Sequence, residues 1–205
     1  MGGITGTLLA WNGASWNLAT QPAVGQIVGL FGLTQPGNTS VWALVNPGVL
    51  SPTNQLLVSS TGASWSATTS PPPSATYMKL WGTSASSLWA VGWNSQIVEW
   101  TGNSWTAYTS PVVSNFSAVW GSGPKDVWVV GGGGTVLHYS GPSGFSPWVK
   151  VNVPTTANLL DVYGTSPSNV WVVGEAGTIL HFDGVRWLAE PSGSTEALWG
   201  VWAGY

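Results

Sequence analysis

The sequence predicts an all-β fold assembled from repeats of one strand-rich unit, and three observations support this prediction. Tryptophan is unusually frequent, with 16 in 205 residues, and it recurs in similar local patterns. The apolar stretches are four to seven residues long, rich in Val, Ile, Trp and Tyr, and bounded by Gly, Pro, Ser or Asn, which is typical of β-strands. No stretch keeps the spacing of three and four residues that an amphipathic helix requires.

The repeated unit contains four apolar segments, which we name A to D in chain order. Segment A ends in an aromatic-glycine pair such as Trp120-Gly121. Segment B has the pattern Val-Trp-x-Val, segment C is of the type Thr-Ile-Leu-His-Tyr, and segment D begins at a Trp shortly after a Gly. The tryptophans of segment B are separated by 47, 39 and 43 residues, and they are Trp42, Trp89, Trp128 and Trp171.

Four short strands in a unit of about 40–45 residues is the period of a β-propeller blade. Segments B and C are apolar on both faces, so we expect them to be covered on both sides by stacked sheets. The sequence therefore predicts a single β-propeller domain over residues 1–205 with four-stranded antiparallel blades. Four blades are complete in the sequence, at approximately residues 27–66, 77–106, 116–149 and 159–188.

Part of a further unit lies at each end of the chain. Residues 6–13 align with segment C, and Trp16 opens a segment D. At the other end, Leu198 and Trp202 repeat the spacing found in segment A of the complete units.

These end segments predict a fifth, composite blade made of residues 196–205 and 1–19, which would close the propeller and remove its open sheet edges. The composite blade has no clear segment B. Either residues 201–205 take that role or the blade has three strands. A further alternative is that the chain associates with copies of itself.

The repeat resembles the Trp-rich bacterial β-propeller repeats and is broadly similar to lectin propellers of the tachylectin-2 and tectonin type. The signature Val-Trp-x-Val-Gly, Gly-Thr-Ile-Leu-His-Tyr-x-Gly and Trp, in this order, covers residues 6–188. The resemblance implies a propeller and, for members of the lectin type, sugar binding at repeated sites between blades. No sugar-site motif of a particular lectin matches residue by residue, and residues 46–58 depart most from the pattern.

Charge excludes some classes of partner. Only 5% of the residues are charged and the net charge is −3. The four basic residues are scattered singly, so we expect neither nucleic-acid binding nor docking on anionic membranes. No apolar run is long enough to insert into a membrane, and no signal peptide is visible. Low charge with abundant Ser, Thr and Gly favours an extracellular or particle-surface location.

The titratable residues do not predict catalysis. His138 and His181 occupy the same position in adjacent repeats, which indicates a structural role, and no cluster of ligands accompanies them for a metal ion. Asp126 and Asn169 precede segment B and are expected to bond within turns. We see no catalytic arrangement among the seven carboxylates, so the sequence predicts no enzyme activity and no cofactor.

Two tryptophans lie outside the repeat pattern, Trp93 in a turn between segments B and C, and Trp199 near the C-terminus. Trp93 and Asn94 combine a stacking plane with an amide, as sugar binding requires. We therefore predict a lectin-like binding module with Trp93, Asn94 and Trp199 as ligand-binding candidates, although Trp93 capping the neighbouring blade is an equal alternative. The alternative function is a scaffold for protein contacts. The expected partner is thus a glycan or a protein surface, with a homo-oligomer as one possibility.

Overall fold

The computed structural model of the chain describes residues 6–20, 25–35, 38–47, 53–141 and 147–204. These residues form four antiparallel four-stranded sheets and one two-stranded hairpin. The predicted all-β class with four-stranded antiparallel sheets is therefore confirmed.

The four sheets are called blades 1 to 4 in chain order. The hairpin contains β1 (Leu9–Trp11) and β2 (Trp16–Leu18). Blade 1 contains β3 (Gln26–Gln35), β4 (Asn38–Asn46), β5 (Gln55–Ser59) and β6 (Ser66–Ala67). Blade 2 contains β7 (Tyr77–Ser84), β8 (Ser87–Gly92), β9 (Ile97–Trp100) and β10 (Trp105–Tyr108). Blade 3 contains β11 (Phe116–Gly123), β12 (Asp126–Gly131), β13 (Thr135–Tyr139) and β14 (Trp148–Val151). Blade 4 contains β15 (Leu159–Ser166), β16 (Asn169–Gly174), β17 (Ile179–Phe182) and β18 (Trp187–Glu190).

Each blade is a meander in which strands adjacent in sequence are also adjacent in the sheet. The first strand of each blade packs against the first strand of the next blade. The four sheets therefore stack like a fan whose inner edge is formed by β3, β7, β11 and β15. Segments A to D are the four strands of a blade, counted from this inner edge outwards.

The hydrophobic core lies between the blades, where tryptophans of one sheet pack on aromatic rings of the next. The Trp89 ring of blade 2 has centroid distances of 5.0 Å to Tyr139 and 5.5 Å to Trp148 of blade 3. Trp128 of blade 3 packs in the same way on Trp187 of blade 4, at 5.4 Å. The indole N–H groups of Trp89 and Trp128 are buried without an acceptor among the described residues, so packing holds these rings.

A second row of aromatic rings follows the inner strands. The centroids of Phe31, Trp81, Trp120 and Tyr163 are separated in turn by 6.3, 6.4 and 6.0 Å. Close approach requires glycine in the next blade: a Cβ added to Gly121 would lie 2.8 Å from Cη2 of Trp81. This contact explains the glycine after the aromatic residue in blade 3, and a Cβ at Gly164 of blade 4 would meet the Trp120 ring in the same way, whereas a Cβ at Gly82 would meet Leu88 of its own blade.

The predicted composite blade does not form among the described residues. The hairpin packs on blade 1, where Leu8 and Ala19 join the cluster that contains Val45 and Leu57. At the other end of the chain, residues 196–204 contain no strand. The sheets are therefore not closed into a ring, which corrects the prediction of closure by strands from both termini.

The sequence of the C-terminal segment differs from segment A of the complete blades at one position. The aromatic-glycine pair of segment A becomes Trp202-Ala203 in the last unit. A Cβ at the equivalent Gly164 would lie 2.5 Å from the Trp120 ring, so the methyl group of Ala203 opposes the same close packing on Tyr163. Among the described residues, no strand pairs with residues 196–204.

Candidate functional site: the open side of the propeller

The stack of blades has two end faces, one at the hairpin and one at blade 4. We use the name open side for these two faces together. One face is the hairpin, where Trp11 and Trp16 are 53% and 55% exposed. The other face is formed by blade 4 with residues 196–204, where Trp199 and Trp202 are each 76% exposed. Four large aromatic side chains on the two ends of the stack are thus accessible to solvent.

The repeat pattern explains why the hairpin tryptophans are exposed. Trp16 is equivalent to Trp148, which is 1% exposed, and Trp11 is equivalent to Tyr139, which is 5% exposed. In blade 3 these rings are covered by the preceding blade. The hairpin has no such neighbour among the described residues, so the same side chains face solvent.

On the blade 4 face, the segment B tryptophan Trp171 also lacks a neighbouring blade among the described residues. Its equivalents in blades 2 and 3 are fully buried, whereas Trp171 is only half-buried. Its ring stacks on His181 at a centroid distance of 4.0 Å and an interplanar angle of 14°. Its indole N–H donates to Oδ1 of Asn169 at 3.0 Å. The ring is therefore held in place by its own blade, with one face not covered by a further blade.

The C-terminal segment, residues 196–204, follows the path of a further inner strand. The N–H of Gly177 donates to the carbonyl oxygen of Glu196 at 2.8 Å, as that of Gly134 does to Ala157 between blades 3 and 4. The N–H of Leu198 then donates to the carbonyl oxygen of Gly174 at 3.0 Å. The segment is thus docked on blade 4 by its backbone.

A buried carboxylate anchors this segment from the inner side. Asp161 on β15 is only 9% exposed. Its Oδ1 accepts from Nζ of Lys79 on β7 at 3.0 Å, and its Oδ2 accepts from the N–H of Val201 at 3.2 Å. One carboxylate therefore joins blade 2, blade 4 and the C-terminal segment.

Trp93 and Asn94 lie in the turn between β8 and β9, far along the chain from the open side. The Trp93 side chain is 49% exposed. Asn94 has a left-handed backbone with φ of 54°, and its N–H donates to Oδ1 of Asn115 at 3.0 Å. No contact among the described residues joins this turn to Trp199, so the predicted ligand-binding residues stand at two separate places. Trp199 also lies outside any strand, although the sequence predicted a strand there.

His138 lies in an ordered polar cluster at the edge of blade 3. Its ring stacks on Trp128 at 3.9 Å, and its Nε2 lies 2.6 Å from Oδ1 of Asp126. Ser122 donates a further hydrogen bond to this carboxylate. Burial acts to raise the pKa of Asp126, but the hydrogen bonds from His138 and Ser122 outweigh it, so the pKa is lowered. Asp126 thus bonds to Ser122 across the turn between β11 and β12, as the sequence predicted, and also holds the His138 side chain on the adjacent strand.

Glu99 occupies in blade 2 the position that His138 occupies in blade 3. Its Oε2 accepts from the hydroxyl of Tyr108 at 2.7 Å, and Ser87 donates to its Oε1 at 3.5 Å. Burial raises the pKa of Glu99, and the two hydrogen bonds offset only part of this effect. The position therefore accepts different polar side chains, provided that each finds a partner on a neighbouring strand.

The open-side residues Trp11, Trp16, Trp171 and Trp202 were not among the ligand-binding candidates of the sequence analysis, because all four follow the repeat and were expected to be buried. A signal was present in the sequence. Ala203 replaces the glycine that follows the aromatic residue in every complete unit.

No protein-family model matches the chain, and no curated protein matches it. Among the described residues, no helix is long and apolar enough to cross a membrane.

Several solved structures are similar to this chain. The β-propeller domain of Cps50 (Swd1) from Myceliophteria thermophila has 11% sequence identity and a TM-score of 0.63, over 92% of this chain and 66% of that one. Virginiamycin B lyase from Staphylococcus aureus has 15% identity and a TM-score of 0.60, over 80% of this chain and 54% of that one. YCF48 bound to a D1 peptide has 15% identity over 92% of this chain and 75% of that one, but its TM-score is 0.44. This chain thus spans only about half the length of the lyase.

The similarity to the lyases contradicts one prediction. The sequence predicted no enzyme activity, yet virginiamycin B lyase and a streptogramin B lyase are among the similar structures. The prediction was wrong to exclude catalysis from missing motifs, because one fold supports many chemistries. A relation to tachylectin-2 or tectonin is likewise not supported by any family model. At these identities the comparisons establish the fold alone: the chain is an all-β protein of the β-propeller fold class.

Proposed function

We propose that the chain is a protein-binding scaffold and that its open side is the binding surface. The observation that carries this proposal is the exposure of four tryptophans, Trp11, Trp16, Trp199 and Trp202. The blade 3 equivalents of Trp11 and Trp16 are buried. Burial of an aromatic side chain removes roughly 150–250 Å² from water. A partner that covers several of these rings therefore gains substantial hydrophobic stabilisation.

The chemistry of the open side favours a protein partner. Tryptophan is enriched among the residues that contribute most to protein–protein affinity. Asp161 and the blade 4 hydrogen bonds fix the backbone around Trp199 and Trp202, so little ordering of this segment opposes binding. The charged fraction of 5% also favours an uncharged, apolar partner surface.

Selection of peptides from a displayed random library tests this proposal. We expect the chain to enrich apolar peptides, and the variant Trp199→Ser/Trp202→Ser to bind them at least about tenfold more weakly, as loss of central aromatic contacts does at other interfaces. Both side chains are exposed, so the variant should keep its circular dichroism spectrum and melting temperature.

Trp93→Ser is the matched control, because Trp93 is also an exposed tryptophan but lies in the turn of blade 2. It should bind the selected peptides as the wild type does. Binding that is lost in Trp93→Ser and retained in Trp199→Ser/Trp202→Ser would contradict the proposal.

Glycan recognition at Trp93 and Asn94 is a second candidate. The observation that favours it is a half-exposed indole on a turn whose backbone is fixed by Asn115, because an indole face stacks well on a sugar ring. Titration with a panel of neutral sugars should then give heat that disappears in Trp93→Ser. Equal heats for the two proteins, or none, would exclude the site.

A further inference from the structure

We propose that the partner of the open side is a second copy of this chain, bound head to tail. In this arrangement the hairpin of one copy packs on the blade 4 face of the next. The inference rests on the proposed protein-binding role and names the partner. Because the two faces differ, the contact is heterologous, and repeating it produces rings or open filaments.

The contact already occurs between blades of a single chain. At the interface of blades 3 and 4, the strand-B ring of Trp128 meets the strand-C ring of Phe182 at 5.1 Å and the strand-D ring of Trp187 at 5.4 Å. The geometry with Trp187 is edge to face, at 79°, which is a favoured arrangement of aromatic rings. One strand-B tryptophan therefore inserts beside an aromatic pair of the next sheet.

The open side carries the residues for one further contact of this kind, a strand-B ring and a pair of rings from strands C and D. Trp171 is the strand-B ring, and Trp11 with Trp16 is the strand-C and strand-D pair. The centroids of Trp11 and Trp16 are 5.6 Å apart at 51°. The equivalent pair of blade 2, Trp100 and Trp105, is 5.6 Å apart at 53°. The exposed pair thus already has the geometry of a pair that is packed in an interface.

The two halves do not meet within one chain. The hairpin is held on blade 1 through Leu8 and Ala19, and Trp171 is held by its own blade through His181. Residues 196–204 form no strand, so the composite blade between the hairpin and blade 4 does not form among the described residues. Because every copy of the chain carries both faces, the hairpin of one copy has its complementary face on any other copy.

Charge does not oppose the association. Residues 6–20, which include the whole hairpin, contain no charged side chain. The hairpin therefore approaches blade 4 of another copy without repulsion between like charges.

Sedimentation equilibrium of the full chain at micromolar to submillimolar concentrations tests the proposal. We expect the weight-average mass of the wild type to rise above the 21.4 kDa of one chain as concentration increases. Trp11→Ser/Trp16→Ser should associate at least about tenfold more weakly, and Trp93→Ser should associate as the wild type does. An unchanged melting temperature shows that the double variant is folded.

A mixing experiment tests the direction of the contact. The Trp11→Ser/Trp16→Ser variant keeps its blade 4 face, so in excess it should cap wild-type assemblies and lower their mean mass. If the variant fails to lower the mass, the wild type associates through identical faces and the head-to-tail proposal is overturned.

A wild type that stays at the mass of one chain at every concentration also overturns this proposal. Peptide selection tests the protein-binding scaffold role independently of this result. Peptide binding that depends on Trp199 and Trp202 in a monomeric protein would retain the scaffold role while rejecting self-association. Loss of both results would reject both proposals.

Discussion

Gly121 shows how a single residue sets the distance between two blades. A Cβ at this position would lie 2.8 Å from the Trp81 ring of blade 2 and would also collide with the carbonyl oxygen of Asp126 in its own blade. Only a residue without a side chain permits both approaches. Gly123, two residues later on the same strand, would place a Cβ with no heavy atom within 4 Å.

The variant Gly121→Ala should therefore destabilise the protein by about 1–3 kcal/mol, as overpacking in other cores does. The free energy of unfolding, measured by urea denaturation, checks this value. Gly123→Ala is the matched control and should change stability by no more than about 0.5 kcal/mol. Equal losses in the two variants would show that the Trp81 ring does not rest on the glycine.

Glu99 predicts a dependence of stability on pH. Its pKa is raised in the folded state, mainly by burial, so the folded protein binds a proton more tightly than the unfolded chain does. The contribution of Glu99 to stability is therefore present below the ordinary carboxyl pKa of about 4.3 and is lost as pH rises through the folded pKa. Glu99→Gln removes this loss because glutamine carries no charge.

We expect Glu99→Gln to be more stable than the wild type at neutral pH, by up to about 1 kcal/mol, with the difference disappearing in acid. Thermal melts across this pH range measure the effect. Glu190→Gln, on the outermost strand of blade 4 and partly exposed, serves as the control and should show little difference. A variant less stable than the wild type at neutral pH would mean that the bond from Tyr108 needs the charge.

At the scale of elements, the C-terminal segment carries the pattern of an inner strand but does not form one. The substitution Ala203→Gly restores the aromatic-glycine pair. Without the methyl group the segment should pack closer to Tyr163, so amide hydrogen exchange in residues 198–204 should become slower, several-fold or more.

The control for this prediction is Ala197→Gly, which introduces the same flexible residue earlier in the same segment. It should leave exchange unchanged or make it faster, because glycine raises the entropy of the unpaired chain. Faster exchange in both variants would show that Ala203 does not limit the packing.

The strands of the blades were predictable because each is specified locally. The Val-Trp-x-Val pattern lies within a strand of six residues that has a turn on either side, and the equivalent strands β8, β12 and β16 all form. The composite blade was predicted wrongly because it depends on two segments at opposite ends of the chain. Their spacing agreed with the repeat, but residues 196–204 form no strand and the hairpin pairs only with itself among the described residues.

Burial of the tryptophans also depends on more than the local sequence. Trp89 and Trp128 are buried as expected, because a complete blade stands on either side of each. Trp171 has the same local sequence, yet its exposure depends on whether a further sheet covers blade 4. The candidate site could therefore not be read from the local pattern, since it consists of repeat residues that lack a neighbour.

The whole molecule is held by aromatic packing with few charges, and this predicts insensitivity to salt. Three ion pairs occur among the described residues, Lys79–Asp161, His138–Asp126 and Arg186–Asp183. Screening by salt weakens only such contacts. Between low and moderate NaCl concentrations the melting temperature should change by no more than about 2 °C, because exposed ion pairs contribute little.

Lys79→Met tests which contact produces any salt effect. It removes the ion pair of Asp161 and should reduce the small residual dependence, because two other ion pairs remain. A large fall in melting temperature with salt in the wild type would contradict the picture of a stack held by aromatic rings.

The row of rings along the inner strands constrains how such a molecule can evolve. Trp81 needs the bare backbone of Gly121, and Trp120 needs that of Gly164. A blade added at such a position would therefore need a glycine to receive the ring of the preceding blade. It would also need an aromatic ring to pack on the glycine of the following blade. Each of these junctions is therefore a matched pair, in which the ring of one blade and the glycine of the next depend on each other.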